Sequence, residues 1–536
     1  MLGKEQNTPP ANPYDFQGWM DCISKIDISQ SANISKQEYD TNVKIFHDFL
    51  TTFPCLYNYW VKYASLIWAG SDSYEEVQKI FNMALETNLR HSVEMWSEII
   101  KFYQSHYTQS EMPQLRFVYG EALDAVGHNF KSGILWRQAI DFEVSLNKSP
   151  YFLLAKAITN PIINLRNFWE ELQNLLPRIP LHELTQFDPN KSVSELLKID
   201  IFMTGDSSDD QTIRSNITQD LTALYNKSLD SYSNRVYYEN SITRTYFHFL
   251  SPDEAQISNW ESYINEFETL FYKDMNEDRL NDVIELYERA LIPCNYIESI
   301  WIEYANFIES VTIIDGVSLS RDIYKRIPYH IIPHAKILYA EFEEEYNNEN
   351  AEALYTEMSE SDYAEQVITS ACYYKRTNRI DVSLTVLRNS RDKMLQNNDI
   401  EGAAVIATAL LELYGEESDI IYSTTYLLKF IKKLIDENKF DDANQLLFSV
   451  TQGENAEKIL IEDRLPLIQI YIECCRMWGV DANFQLNLEM TYNKLKNKMM
   501  WHKEYFKQTE LNKRKPPEKR LENWIDYQKN LNKMIS

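Results

Sequence analysis

Bulky apolar residues fall along this chain at intervals of three and six or seven, with charged residues between them. Trp301, Tyr304, Phe307 and Glu309 (WIEYANFIE) return thirty-five residues later as Lys336, Tyr339, Phe342 and Glu344 (KILYAEFEE). Positions so spaced share one stripe of a helix, so each segment predicts a helix carrying an aromatic ridge. The same pattern stands at Trp60–Tyr63, at Trp96, Ile99 and Phe102, at Trp136, Ala139, Phe142 and Glu143, and at Trp260, Tyr263, Phe267 and Glu268. Successive tryptophans lie 36 (Trp60 to Trp96), 40 (Trp96 to Trp136) and 41 (Trp260 to Trp301) residues apart. Periods of this size predict stacked helical pairs.

One helix cannot bury such a ridge alone. The segments that follow the aromatic helices supply the partner, as in VQKIFNMAL (77–85) and VIELYERAL (283–291), where Ala84 and Ala290 permit close approach. Pro54 and Pro293 precede the next tryptophan, where a residue unable to continue a helix ends it. The predicted fold is all-α, an α-solenoid or superhelix of helix-turn-helix repeats in two blocks. The expected organisation is an extension over 1–35, ordered only in part, and a first block over 36–200. An acidic loop and linker helix over 201–250 follow, the loop reaching to about Asn216 and the helix running from about Thr218 to Thr245. A second block spans 251–500, and a basic tail with a further helix spans 501–536. After Tyr363 the aromatics thin out, although Tyr374 keeps the interval of thirty-five from Tyr339. The apolar segments Ala403–Leu413, Tyr426–Leu434 and Leu467–Met477 read as inner helices, with contact to another chain as the alternative. The aromatic rows themselves read as core.

Charge narrows the function. With 53 Lys+Arg against 80 Asp+Glu the net charge is −27, which repels a phosphate backbone at long range and argues against extensive non-specific nucleic-acid binding. The acid is spread, with patches at Glu341–Glu345 and Asp206–Asp210 that read as solvated faces or as docking sites for basic partners. The tail inverts the sign: Lys513, Arg514, Lys515, Lys519 and Arg520 form a basic cluster of the nuclear-import or phosphate-contact type. Six cysteines show neither a CxxC pair nor zinc spacing and read as reduced thiols of an intracellular protein. No apolar run suggests a secretory signal or a membrane span.

Reactive motifs do not appear. There is no glycine-rich phosphate loop, GxSxG, HExxH or histidine–cysteine grouping with catalytic logic. His330 and His334 are four apart, but Pro328 and Pro333 oppose a helix that would bring them together. The expectation is a protein without enzymatic activity, metal or cofactor.

The W-x-x-Y-x-x-F-x-E helix followed by Y-x-R-A-L resembles the half-a-tetratricopeptide (HAT) repeat of RNA-processing assemblies, a relative of the tetratricopeptide (TPR) repeat. The run Tyr238–His248 (YENSITRTYFH) with Ser251-Pro252 and Asn259-Trp260, then Arg289–Cys294 (RALIPC) and Ile179–His182 (IPLH), is similar to the pre-mRNA-processing factor thirty-nine family. The resemblance covers about 36–345 well and the rest in helical character only. It implies a nuclear scaffold subunit of the U1 small nuclear ribonucleoprotein (U1 snRNP), the spliceosome component that recognises the 5′ splice site in mRNA splicing. It also implies partners: the particle's zinc-finger subunit on the first block, and on the second block another HAT protein, as a homodimer or a heterodimer with the factor forty-two relative. RNA contact is then mostly indirect and no membrane is involved. The alternatives are a HAT scaffold of the cleavage and polyadenylation machinery, or direct RNA contact through the basic tail.

Overall fold

The computed structural model describes residues 8–28, 34–199, 211–417, 423–453 and 455–512, the last twelve as backbone only. Every regular element among the described residues is helical. The contacts divide the chain into two compact units, 1–328 and 329–536.

The first unit carries α1–α16, in chain order Phe16–Ser24, Lys36–Thr52, Tyr57–Ser71, Tyr74–Leu85, Val93–His106, Leu115–Val126, Gly133–Ser145, Tyr151–Ala157, Leu165–Leu175, Leu181–Leu184, Val193–Leu196, Gln211–Ser241, Glu254–Asp274, Glu277–Ala290, Glu298–Ser310 and Gly316–Arg326. Antiparallel pairs such as α3 with α4, α13 with α14 and α15 with α16 bury their aromatic ridges against each other. Local chemistry sets the starts: Ser35 accepts from the Glu38 N–H, Asp253 from that of Gln256 and Asn276 from that of Arg279, each satisfying a donor that the first turn leaves free. One continuous apolar core runs from Trp19 to Tyr225.

Two features of this unit were not legible in the ridges. Residues 8–28 repeat the motif in miniature: Phe16 packs on Phe53 and Phe249, and Trp19 on Phe49. The expected linker helix is longer than the pattern suggested and begins at Gln211, so 211–216, read as loop, are helical. Residues 201–210, with their acidic run, lie outside the described residues. The helix docks along the first block, stacking Tyr225 on Trp169 at 4.9 Å and Tyr232 on Phe130 at 5.1 Å. The boundary between the compact units falls after Pro328.

The second unit carries α17–α25: His334–Tyr346, Asn348–Ser359, Ala364–Arg376, Ile380–Gln396, Ile400–Tyr414, Thr424–Asp436, Phe440–Thr451, Ile461–Trp478 and Ala482–Asn512. Here α21, from the apolar Ala403–Leu413 segment, is an inner helix whose residues Ala403, Ile406, Ala407 and Leu410 are buried. The helices are joined by tight turns in which Asn378, Asn398 and Asn438 adopt left-handed φ of 63°, 62° and 59°. The next residue's N–H then reaches back to Tyr374, Met394 or Leu434, closing the helix end as glycine ordinarily does. No helix among the described residues is long and apolar enough to cross a membrane.

Candidate functional site

The signature rings are placed inside the repeats. Trp60, Tyr63, Trp96, Phe102, Trp136, Trp260, Tyr263, Trp301, Tyr304, Phe307, Tyr339 and Phe342 are buried, and Phe142 is partly buried against Tyr119. The tryptophans have a polar task as well. The indole N–H of Trp19, Trp60, Trp96 and Trp301 donates to the carbonyl six residues earlier, on Pro13, Pro54, Arg90 and Asn295, at 2.7–3.0 Å. Trp136 uses the Gly127 carbonyl at 2.8 Å. Each indole pins the loop that enters its own helix, which satisfies a buried donor and fixes the angle between successive pairs.

A buried polar module recurs with the rings. On α12, Tyr238 stacks on Tyr263 of α13 at 4.8 Å, and the neighbouring Glu239 accepts from the Tyr263 hydroxyl at 3.1 Å. Arg289 of α14 forks onto Glu239 at 2.7 and 3.0 Å and lies 5.7 Å over the Trp260 ring. One repeat on, Tyr287 stacks on Tyr304 at 4.6 Å, and Glu288 accepts from the Tyr304 hydroxyl at 3.0 Å. Arg326 of α16 forks onto Glu288 and lies 5.8 Å over Trp301. The sequence signal is a Tyr-Glu pair, then Trp-x-x-Tyr, then Tyr-x-Arg for Tyr287-x-Arg289 and Tyr324-x-Arg326. Guanidinium, buried carboxylate and ring each satisfy the others, the arginine being buried in the Arg289 copy and partly open to solvent in the Arg326 copy, and the planar fork fixes the register of three successive helices.

Electrostatics follow this geometry. Burial opposes charge on Arg289, but Glu239 and Glu285 overcome it and hold the guanidinium above its ordinary range. For Glu288, burial pushes the carboxyl up, while Arg326 pulls harder and leaves it below its ordinary value. Arg235 of α12, fully buried over the Phe267 ring, bonds Asp282 and stands 3.7 Å from Glu285, an ion pair without a hydrogen bond.

In the first block the module is apolar: Phe46 stacks on Tyr63 at 5.8 Å, and Met83 stands two residues after Phe81, where the later copies have arginine. Polar contacts also join the two arrays within the first unit. Arg326 reaches Asn88 at 2.6 Å, Lys131 reaches the Ile242 carbonyl at 3.2 Å, and Thr245 bonds Glu94. His91 lies in this junction and is pushed down to about 4, chiefly by burial.

Other expected sites come apart or fall outside view. His334 opens α17 and His330 lies in the turn before it. Among the described residues no group of three or more His, Cys, Asp or Glu is arranged to hold a metal. No disulfide joins the described cysteines, and burial pushes Cys55 and Cys294 up to about 12, which removes thiolate reactivity at neutral pH at those two. Lys513, Arg514, Lys515, Lys519 and Arg520 lie outside the described residues. What remains open on the surface is a set of grooves between helices; the one between α4 and α6 has a volume of about 520 Å³.

This architecture coincides with a known family. The PRP39 N-terminal HAT repeat matches residues 4–174, and the PRP39 C-terminal HAT repeat matches residues 233–379. The chain belongs to the PRP39 family. Pre-mRNA-processing factor 39 of Schizosaccharomyces pombe is 26% identical over 368 residues, covering 64% of this chain and 58% of that protein. The Mus musculus protein of the same name is 24% identical over 534 residues, covering 90% and 76%. The chain thus spans under two thirds of the S. pombe relative's length. Among solved structures, the crystal structure of CSTF-77 aligns over 83% of this chain and 88% of its own at 12% identity, with a TM-score of 0.45. The PRP39 matches take in the tryptophan rows and both complete polar modules.

Proposed function

We propose that this chain is a non-enzymatic scaffold subunit of the U1 snRNP, acting in the nucleus in pre-mRNA splicing during recognition of the 5′ splice site. The observation that carries the reading is membership of the PRP39 family through both of its repeat blocks. Helical repeats whose signature rings and charges are spent internally leave their outer faces and grooves for protein partners. The first block takes the particle's zinc-finger subunit. The second takes another HAT protein, either a further copy or the factor forty-two relative. RNA is held mostly through those partners, because a net charge of −27 disfavours broad contact with phosphates.

The reading predicts that a nuclear extract depleted of this protein loses U1 particles from a 5′ splice-site RNA, and that adding the full chain back restores them. Undiminished binding after depletion contradicts it. Self-pairing is tested by sedimentation equilibrium, which should give twice the 63.3 kDa of one chain, whereas 63.3 kDa assigns the pairing to a different partner. Deleting residues 501–536 tests the tail: an unchanged salt dependence of RNA association excludes it as the contact.

A second reading has one observation of its own. The mRNA 3′-end-processing protein RNA14 of Yarrowia lipolytica is 23% identical over 192 residues, covering 32% of this chain. The same depleted extract separates the two readings, since this one predicts lost cleavage of a polyadenylation substrate with intact splicing.

A further inference from the structure

The groove between α4 and α6 is the second helices' share of two successive repeats, floored by α5. Its floor is apolar, formed by Trp96, Ile99 and Tyr103, and Phe81 and Phe117 stand on opposite walls. Phe117 is 48% exposed, an aromatic on a helix whose other ring, Tyr119, is buried. Past Leu85 and Trp96 the groove continues into a recess of about 490 Å³ that reaches Asp124. Together the two spaces suit a peptide segment with one or two inserted side chains.

Its charge selects the occupant. Glu121 and Glu86 line the groove, and neither carboxylate has a hydrogen bond or ion pair among the described residues. Asp124 beside them accepts the backbone N–H groups of Val193 and Ser194. Arg90, at the far end, is the one cation among the residues lining either space. The repeat itself shows what is unusual. Glu121 stands two residues after Tyr119, as Arg289 stands two after Tyr287 and Arg326 two after Tyr324. Both arginines are consumed by carboxylates within the fold, whereas the acid at this position faces the groove unpaired. The partial desolvation of the groove wall, then the neighbouring Asp124 charge, raises the Glu121 carboxyl above its ordinary value, a cost that an incoming cation removes.

We infer that this groove docks a cationic–apolar peptide segment of a partner protein, with an aliphatic or aromatic side chain laid between Phe81 and Phe117 and an adjacent arginine or lysine on Glu121. The assignment rests on the scaffold reading above and gives it a location and a chemistry. Unpaired carboxylates that attract such a peptide repel a nucleic-acid backbone, so the occupant is protein.

The test begins with a phage library of random dodecapeptides selected on the full chain, with affinities of the winning peptides measured by fluorescence anisotropy. Enriched sequences should place Arg or Lys beside Leu, Ile, Phe, Tyr or Trp. Phe117→Ser and Glu121→Lys, both at exposed positions, should each weaken the peptide at least about tenfold. Phe448→Ser, at an equally exposed ring of the second unit, should leave it unchanged. A peptide carrying Glu in place of its cation should bind Glu121→Lys better than the original chain. The proposal is overturned if no such peptide is enriched, if both groove variants bind as the original does, or if a uridine dodecamer RNA displaces the peptide. Recovery of U1 RNA with the original chain probes the scaffold reading separately: recovery alongside groove variants of undiminished affinity removes the groove alone, and absence of U1 RNA removes the reading beneath it.

Discussion

At the scale of single residues, the fold depends on groups that surface statistics would place in water. Arg289 and Glu239 are both buried, and removing one partner strands the other's charge. Arg289→Met should therefore destabilise the first unit by about 3–5 kcal/mol in urea unfolding, with Glu239→Leu added on top recovering much of the loss. The exposed pair Lys227–Asp278 gives the contrast, since Lys227→Ala should cost under about 1 kcal/mol. Trp301→Phe keeps a ring but orphans the Asn295 carbonyl, for about 1–3 kcal/mol. His91 gives a pH signature. Its folded value near 4 lies below the ordinary 6.5, so between those values the unfolded chain binds a proton that the folded chain refuses. Stability from this group is complete above pH 6.5 and declines as pH falls to 4, by on the order of 2–3 kcal/mol. His91→Gln should flatten that part of the melting-temperature profile, and an unchanged slope would refute the assignment. The tryptophan rows were legible because apolar periodicity is a one-residue-type signal. The Glu239–Arg289 and Glu288–Arg326 forks were not, because the buried carboxylates Glu239 and Glu288 are spelled like solvated ones and only a partner 50 or 38 residues away distinguishes them.

At the scale of elements, helix identity was readable and helix ends were less so. The aromatic ridges placed α3, α5, α7, α13, α15 and α17 correctly, since each ridge has to be buried by a neighbour. The second unit lost that signal at Tyr363, yet its repeats continue through the asparagine turns. TNRID, NNDIE and ENKFD are one device written three times, and it escaped a reading keyed to glycine and proline. Asparagine tolerates the left-handed conformation and branched residues do not. Asn398→Val should lower the stability of the second unit by roughly 1–2 kcal/mol, and Asn398→Gly should be neutral or slightly favourable, as measured by the unit's own unfolding transition. Equal losses for both substitutions would show that the side chain, not the backbone, matters there. Residues 211–216 read as the end of a loop because they follow the Gly-, Ser- and Asp-rich run 204–210. They are helical because Arg214 caps the carbonyls of Leu176 and Ile179 and so ties the start of α12 to the first block.

At the scale of the whole molecule, the chain is a member of the PRP39 family in which rings and buried charges are spent on stacking helix against helix. Family membership was legible from the Tyr238–Trp260 run and the repeat motif. The division of the chain after Pro328 was not, because the repeat WIEYANFIE to KILYAEFEE runs straight across it and packing alone decides where contacts thin. The groove between α4 and α6 was equally invisible, since the gap between two helices is set by packing, although the acid at Glu121 stands where the later copies have arginine. If surfaces, and no reactive centre, carry the function, the RNA that accompanies the chain should be that of the proposed U1 particle. The most direct measurement is the small nuclear RNA recovered when the tagged full chain is purified from nuclear extract. U1 RNA as the dominant species, lost when the extract's protein is digested first, is the result expected. Purification without U1 enrichment, or with RNA that survives removal of the other proteins, would contradict the account.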